Sequence, residues 1–373
     1  MAPQLPPTFK GLLFNSASEP AVLTDIPTPE VEPGSVIVKP LYCWVPSYAN
    51  ELYTNGNPRQ HQFQFPLVGG SGAIGRVVAV GPDAAGLEIG DLVTTEPLIR
   101  FRDAPDQFVM LALGVSLTNT KSPTALSHWH HGSWAELVKM PLENVLRFDE
   151  SKLQKQGVTI KDLGFFTQLI IGYGGLRDSN LSPGETVLIS PATGNFGGAA
   201  VHVALAMGAR VIAMGRNQSV LARLKALSPN RVETVTISGS EETDLDALSK
   251  LGPIDVFLDM TPTKAQSVSH VRAGIMAVRH GGRISLGGGL GDLNLPYGIV
   301  MFKRLTLKGT MMYSREQVQE LIQMIETGIL RLGPEAGLTV EKTFELEDWN
   351  DAIETAAKEA GAGRAVLFTP NHE

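Results

Sequence analysis

One stretch limits the fold more than any other: Thr186-Val-Leu-Ile-Ser-Pro-Ala192-Thr193-Gly194-Asn195-Phe196-Gly197-Gly198, followed by a helical run and then Arg210-Val-Ile-Ala-Met-Gly215-Arg216. An apolar run, a glycine-rich turn, a helix and a second apolar run make half of a dinucleotide-binding βαβ unit. Gly194 lets the backbone approach a pyrophosphate, and Gly197 lets the new helix pack close to the strand. The helix N-terminus turns its free N–H groups and the positive end of its dipole toward the anion. Ala192 stands where the first glycine usually does, so the pattern is A-x-G-x-x-G. The expected cradle is Ala192, Thr193, Gly194, Asn195, Phe196 and Gly197.

The end of the second strand selects the cofactor. An NAD site expects Asp or Glu about 20 residues after the turn, to hold the ribose 2′-hydroxyl. Here Gly215 is followed by Arg216 and Asn217. A carboxylate would repel a 2′-phosphate, whereas a guanidinium binds it in bidentate fashion. The reading is NADP(H), with a solvated surface charge as the alternative role for Arg216.

At 373 residues the chain is long for one core and suggests two domains. A net charge of −7 without a Lys/Arg stripe argues against nucleic acid as a partner. No apolar run approaches about 18 residues, which argues against a membrane span. The first residues, Met-Ala-Pro-Gln-Leu-Pro-Pro, lack the regions of a secretory signal. One cysteine, Cys43, excludes an internal disulfide and fits a cytoplasmic protein. The expected partner is a small-molecule substrate.

Residues 9–150 carry short alternating runs (Val36–Pro40, Gly75–Gly81, Asp91–Thr95) separated by turn signals such as Glu32-Pro-Gly34. These predict a compact, mainly β domain. Asp162–Arg177 has apolar residues at helical spacing. From Thr186 onward, strands alternate with helices: Val211–Met214, a helix near Ser219–Leu227, Val232–Ile237, Ile254–Asp259, a helix over Lys264–Val278, Arg283–Leu286 and Leu305–Lys308. Such alternation predicts a parallel sheet covered on both faces. An amphipathic helix over Arg315–Glu326, a helix near Trp349–Lys358 and a strand at Ala365–Phe368 follow.

Several further stretches occur in a characteristic order. They are Gly70-Ser-Gly-Ala-Ile-Gly75-Arg-Val-Val-Ala-Val-Gly81, Glu88-Ile-Gly-Asp-Leu-Val93, Gly132-Ser-Trp-Ala-Glu136, Gly172-Tyr-Gly174, Pro183-Gly184-Glu185, Gly281-Gly-Arg-Ile-Ser-Leu-Gly287 and Trp349-Asn-Asp-Ala-Ile-Glu354. With the glycine turn they resemble the medium-chain dehydrogenase/reductase superfamily over nearly the whole chain. The resemblance implies an α/β fold: a Rossmann doubly wound parallel sheet over 167–312, and a GroES-like, mainly β catalytic domain over 1–166 and 313–373. It also implies that Gly287, Gly288, Gly289 and the Thr310–Met312 backbone approach the nicotinamide end of the cofactor. For Gly289 a plain tight loop is an equal alternative. The crevice between the domains is the implied place for substrate, and pairing through the strand at Leu305–Lys308 implies a homodimer.

The family's zinc enzymes bind metal through Cys, His and a further Cys or acid. The matching positions here are Val45 (or Cys43, if the register slips), Ser71 and Thr167. Zinc needs Cys, His or carboxylate ligands, so the chain resembles the zinc-independent quinone-oxidoreductase and enoyl-reductase branch, and no metal is expected. His128-Trp129-His130-His131 offers imidazoles, but exposed or pocket-wall histidines are the commoner reading. Ser47 matches the family's proton-relaying hydroxyl. Tyr48 adds a phenol that either donates to a developing oxyanion or only packs. Trp44, Tyr53 and Trp129 are candidate pocket-lining residues, and His61 has weaker support.

These features predict an NADPH-dependent reductase transferring hydride to an activated C=C bond in an enone, quinone or enoyl thioester. Without a metal, conjugation spreads charge onto a remote oxygen that hydrogen bonds can hold. Reduction of a ketone or aldehyde (or the reverse alcohol oxidation) is the alternative. A non-catalytic NADPH-binding protein with a structural or regulatory role is the alternative of another class.

Overall fold

The computed structural model describes residues 5–372 apart from 60, 62, 114–127, 264 and 266. Met1–Gln4 of the N-terminal reading, residues 114–127 of the segment Ile99–His131, and Lys264 at the expected helix start lie outside the described residues. By contacts the chain divides into two units. One comprises Met1–Thr167, Leu338–Ala360 and Arg364–Glu373; the other comprises Gln168–Gly337 and Gly361–Gly363.

The first segment of the first unit supplies β1 (Thr8–Phe14), β2 (Val22–Pro27), β3 (Ser35–Val45), β4 (Leu67–Val68), β5 (Ala73–Val80), β6 (Leu92–Thr95), β7 (Leu98–Phe101), β8 (Ala104–Met110), β9 (Val138–Pro141) and β10 (Val145–Arg147). Long β3 organises them, pairing antiparallel with β5 and with β9. Its side chains alternate between cores, as the two-residue period of a strand dictates. Val36 and Val38 join Val77, Val93, Val138 and Met140, whereas Ile37 joins Phe9, Val68 and Ala135. Farther along, Cys43 and Val45 enter a third cluster with Leu12, Phe14, Tyr53 and Trp134. Burial of each such Val, Leu or Phe contributes roughly 1.5–3 kcal/mol.

The second unit is the predicted parallel sheet. Its strands are β11 (Thr186–Ser190), β12 (Arg210–Gly215), β13 (Val232–Thr236), β14 (Ile254–Asp259), β15 (Val278–Leu286) and β16 (Thr306–Gly309). They lie in the order β13-β12-β11-β14-β15-β16, every pair parallel. Strand order reverses between β11 and β14, and ligands of such sheets bind outside the carboxyl ends at that switch point. All five residues of β11 are buried, as a central parallel strand with both faces covered requires. The helix expected over Lys264–Val278 is Ser269–Ala277, and Val278 already belongs to β15. A helix at Glu241–Ser249, capped by Ser240, also lies in this unit.

The boundary expected at 312 moves to Gly337. Helix Arg315–Glu326 buries Val318, Leu321, Ile322 and Ile325 and is bonded to helix Phe166–Asp178 through Tyr173–Glu320 (2.6 Å) and Gln317–Asp178 (3.0 Å). Those bonds fall within the second unit and keep 313–337 there. The chain then returns to the first unit with β17 (Thr339–Phe344), helix Trp349–Glu359 and β18 (Arg364–Phe368). β18 pairs parallel with β17 and antiparallel with the end of β3, giving the order β10-β6-β5-β3-β18-β17. Among the described residues no helix is long and apolar enough to cross a membrane.

Candidate active site

The glycine turn is built as its sequence demands. The Ala192 N–H donates to Met214 O (2.7 Å), binding the turn to β12. Gly194 caps helix Asn195–Ala206 with extended backbone and no side-chain cap. A Cβ on Gly197 would overlap the Pro191 carbonyl oxygen, so only glycine lets the helix start this close to the strand. Asn195 turns aside: its Nδ2 donates to Gly361 O (3.2 Å) and lies 3.5 Å from Gln168 Oε1.

At the end of β12, a Cβ on Gly215 would overlap Thr193 Cγ2 and lie 2.9 Å from its Oγ1. The place of an acidic side chain is thus filled by Thr193. Arg216 next to it is exposed and forms no hydrogen bond or ion pair among the described residues. Asn217 caps helix Gln218–Leu227, its Oδ1 accepting from Val220 N (3.2 Å).

On the other side of the switch point, Met260, Leu286, Gly287, Gly288, Thr310 and Met312 line a cavity of about 450 Å³ with Gly175 of helix Phe166–Asp178. A side chain on Gly288 would begin 2.6 Å from Asp259 Oδ2 and 2.7 Å from Thr261 O. Gly289 instead donates its N–H to Thr261 O (2.8 Å) and does not line this cavity, which places it in the tight loop.

The sequence reading named Asp259 only as a strand end. In the structure it anchors a buried chain. Its Oδ1 accepts from Thr261 N (3.1 Å) and from Thr261 Oγ1, which lies 3.0 Å from His270 Nε2. With the threonine proton given to Asp259, His270 must donate from Nε2. Among the described residues its Nδ1 is buried without a hydrogen-bond partner, as is Asp244 Oδ2. Burial pushes the Asp259 carboxyl up to about 6, against the pull of the Thr261 bonds. Burial also holds His270 below the usual histidine range, the Asp244 carboxylate opposing this and Arg216 adding to it. A carboxyl closing the apolar run Ile254-Asp-Val-Phe-Leu-Asp259 was the available signal.

In the first unit, β3 runs into the turn Pro46-Ser47-Tyr48, and Tyr48 precedes the short helix Ala49–Tyr53. Ser47 and Tyr48 are half-buried. The Arg59 guanidinium stacks 4.2 Å over the Tyr48 ring, and Trp44, buried, stands edge-on at 6.5 Å. Burial pushes the Tyr48 phenol up to about 12, so at neutral pH it is a donor. Tyr53 is not a pocket residue: it is 1% exposed, stacks on Phe14 at 4.7 Å, and donates to Ala112 O (3.0 Å). Trp129 packs on the cluster around Val36 and Val138, with Lys139 above its ring, so it too is a packing residue. His61 stacks on Phe63 at 5.7 Å.

His128 lies 3.2 Å from Glu32, and His131 accepts at Nδ1 from Val68 N (3.1 Å). Burial, with His130 beside it, lowers His131 to about 4. At the positions matching the zinc ligands, Val45 is fully buried in β3. The Cys43 thiol donates to Ser133 O (3.1 Å), and burial pushes it up to about 12. Thr167 Oγ1 lies 3.1 Å from where a side chain on Gly72, beside Ser71, would begin. An aliphatic side chain and two hydroxyls do not fit zinc. Among the described residues no three His, Cys, Asp or Glu side chains converge.

Two family models match the chain: an alcohol dehydrogenase GroES-like domain over residues 32–150 and a zinc-binding dehydrogenase over 196–327. An L-threonine 3-dehydrogenase from Pectobacterium carotovorum is 24% identical over 366 residues, spanning 96% of this chain and 98% of its own. Among solved structures, a putative alcohol dehydrogenase from Sinorhizobium meliloti 1021 superposes with a TM-score of 0.74 at 22% identity, covering 98% of both chains. An alcohol dehydrogenase from Escherichia coli CFT073, complexed with NADH, gives 0.77 at 17% identity, over 98% of this chain and 100% of that one. The chain belongs to the medium-chain dehydrogenase/reductase superfamily, a pyridine-nucleotide-dependent family, and is an oxidoreductase. The names printed for these relatives are those of alcohol dehydrogenases and an L-threonine 3-dehydrogenase, whereas the missing metal ligands led to an expectation of C=C reduction.

Proposed function

We propose that the protein is an NADP(H)-dependent oxidoreductase interconverting an alcohol and a carbonyl without bound zinc. The observation that carries the cofactor is Gly215 packed against Thr193 beside exposed Arg216, which has no hydrogen bond or ion pair among the described residues. No carboxylate fits at 215, and the neighbouring guanidinium is free to meet a 2′-phosphate. The cradle is Ala192–Gly197, with Asn217 closing the adenosine side. Gly287, Gly288 and Met312 border the cavity for the nicotinamide, which when bound supplies or accepts a hydride.

In the reductive direction the carbonyl carbon gains the hydride and its oxygen a proton. The Tyr48 phenol, protonated and with no hydrogen bond of its own among the described residues, is the proposed donor to that oxygen, with Ser47 and Trp44 beside it. The lack of zinc ligands at Val45, Ser71 and Thr167 supports a second reading, reduction of a conjugated C=C bond. One substrate separates the two: NADPH with cyclohexenone yields the saturated ketone or the allylic alcohol. Arg216→Asp is expected to lower kcat/KM for NADPH and raise the NADH/NADPH ratio at least tenfold; an unchanged ratio removes Arg216 from the phosphate site. Tight NADPH binding with no turnover of any ketone, aldehyde or enone defeats both substrate readings. A full equivalent of zinc surviving chelation defeats the metal-free one.

A homodimer, in the cytoplasm, completes the proposal. β16 ends the parallel sheet, and Tyr297, Met301, Phe302 and Met311 are exposed near it in sequence. An open edge flanked by large apolar side chains is the kind of surface that oligomers cover.

A further inference from the structure

We propose that Asp178 is a positioning residue: it fixes the loop Gly309–Tyr313, and through it the backbone that receives the nicotinamide end of the cofactor. The inference rests on the cofactor reading above. The loop lines the 450 Å³ cavity through Gly309, Thr310, Met311 and Met312. A single carboxylate gathers donors from before, within and after it. Lys308 Nζ of β16 lies 3.2 Å from Asp178 Oδ1, Gln317 Nε2 of the next helix donates to the same oxygen (3.0 Å), and Thr310 Oγ1 donates to Oδ2 (3.3 Å).

Thr310 is held on its other side by Ser285 of β15 (3.0 Å), a fully buried hydroxyl, and its N–H donates to Leu286 O (3.1 Å). Gln317 is itself engaged in the capping box with Ser314, so a shift of Asp178 reaches the start of that helix. The loop is not in a relaxed conformation that would persist unaided. Met312 has φ +62, in the left-handed region that non-glycine residues rarely adopt. Its carbonyl oxygen lies so close over Gly174 that any side chain there would overlap it. Charge-assisted hydrogen bonds are the strong ones available to hold such a turn.

The test compares two ligands by titration calorimetry on the full chain: NADPH, and 2′-phospho-ADP-ribose, which lacks the nicotinamide. Asp178→Ala is expected to weaken NADPH about tenfold, the scale of one charge-assisted hydrogen bond, and to leave 2′-phospho-ADP-ribose unchanged. Thr310→Val, which keeps the side-chain shape, is expected to act in the same sense with a smaller loss. This second variant serves should the first fail to fold. Equal weakening of both ligands, or of neither, in both variants overturns the positioning role and leaves the cofactor reading intact. A wild-type protein that binds neither ligand overturns both.

Discussion

Replacing Asp259 by Asn has a consequence that runs against ordinary expectation: the variant becomes relatively more stable as pH rises. The Asp259 carboxyl moves from an ordinary 3.8 to about 6 on folding, because burial at the end of β14 disfavours its charge. A group whose folded value is raised contributes stability that is fully present below the unfolded value, here about 3.8. That stability is lost as pH climbs through about 6. Two units at 1.36 kcal/mol each set an upper bound of about 3 kcal/mol. The asparagine amide oxygen still accepts from Thr261, so the chain to His270 survives without the titration. Taking the difference between variant and wild type cancels other groups, including His202 and His131, each lowered to about 4 by burial and sloping the opposite way. All four tryptophans, Trp44, Trp129, Trp134 and Trp349, belong to the first unit, so their fluorescence is the wrong probe. Hydrogen exchange of the β14 amides under urea, from pH 4.5 to 8, reads the right unit. Parallel stability curves for the two proteins over that range would refute the reasoning.

Other perturbations test other links. Gly197→Ala drives a methyl into the Pro191 carbonyl, so NADPH binding is expected to vanish and stability to fall by about 1–3 kcal/mol or more; retained NADPH affinity by calorimetry would place the turn elsewhere. His202→Leu removes a histidine held neutral by burial. Because its folded value is lowered, wild type loses stability as pH falls from about 6.5 through 4, by up to roughly 3 kcal/mol, and the variant is expected to lose less. An unaltered acid-denaturation profile by circular dichroism counts against that. Tyr48→Phe keeps the stacking of Arg59 and removes only the hydroxyl, so kcat is expected to drop about 100-fold with NADPH affinity unchanged. A kcat within threefold of wild type leaves Tyr48 a packing residue.

What was legible in the sequence was what short-range physics controls. Buried parallel strands such as Thr186–Ser190 and Ile254–Asp259 read as apolar runs because both faces are covered, and Arg315–Glu326 announced its apolar stripe. Helix Glu241–Ser249 went unread although Ser240 and two following glutamates mark its start, because its composition is strongly polar. Tyr53 and Trp129 looked like pocket aromatics because sequence carries no direction. Only the stacking of Phe14, Tyr53 and Trp134 shows which aromatic groups are core. The Asp259–Thr261–His270 chain and the three donors on Asp178 depend on packing between separate elements. No local pattern records such meetings.

The pairing of β18 with the end of β3 also sets an order of events at the ribosome. Cys43, Trp44 and Val45 take their partners from Phe368, Leu367 and Val366, about 320 residues later in synthesis. At 5–20 residues per second that is a wait of roughly 15–60 s, during which the whole of Gln168–Gly337 emerges and is able to fold first. The strand end that leads into Ser47 and Tyr48 is therefore completed long after it is made. Until then its open edge is a surface for a chaperone to guard, and a nonsense codon ahead of Arg364 would leave it open for good.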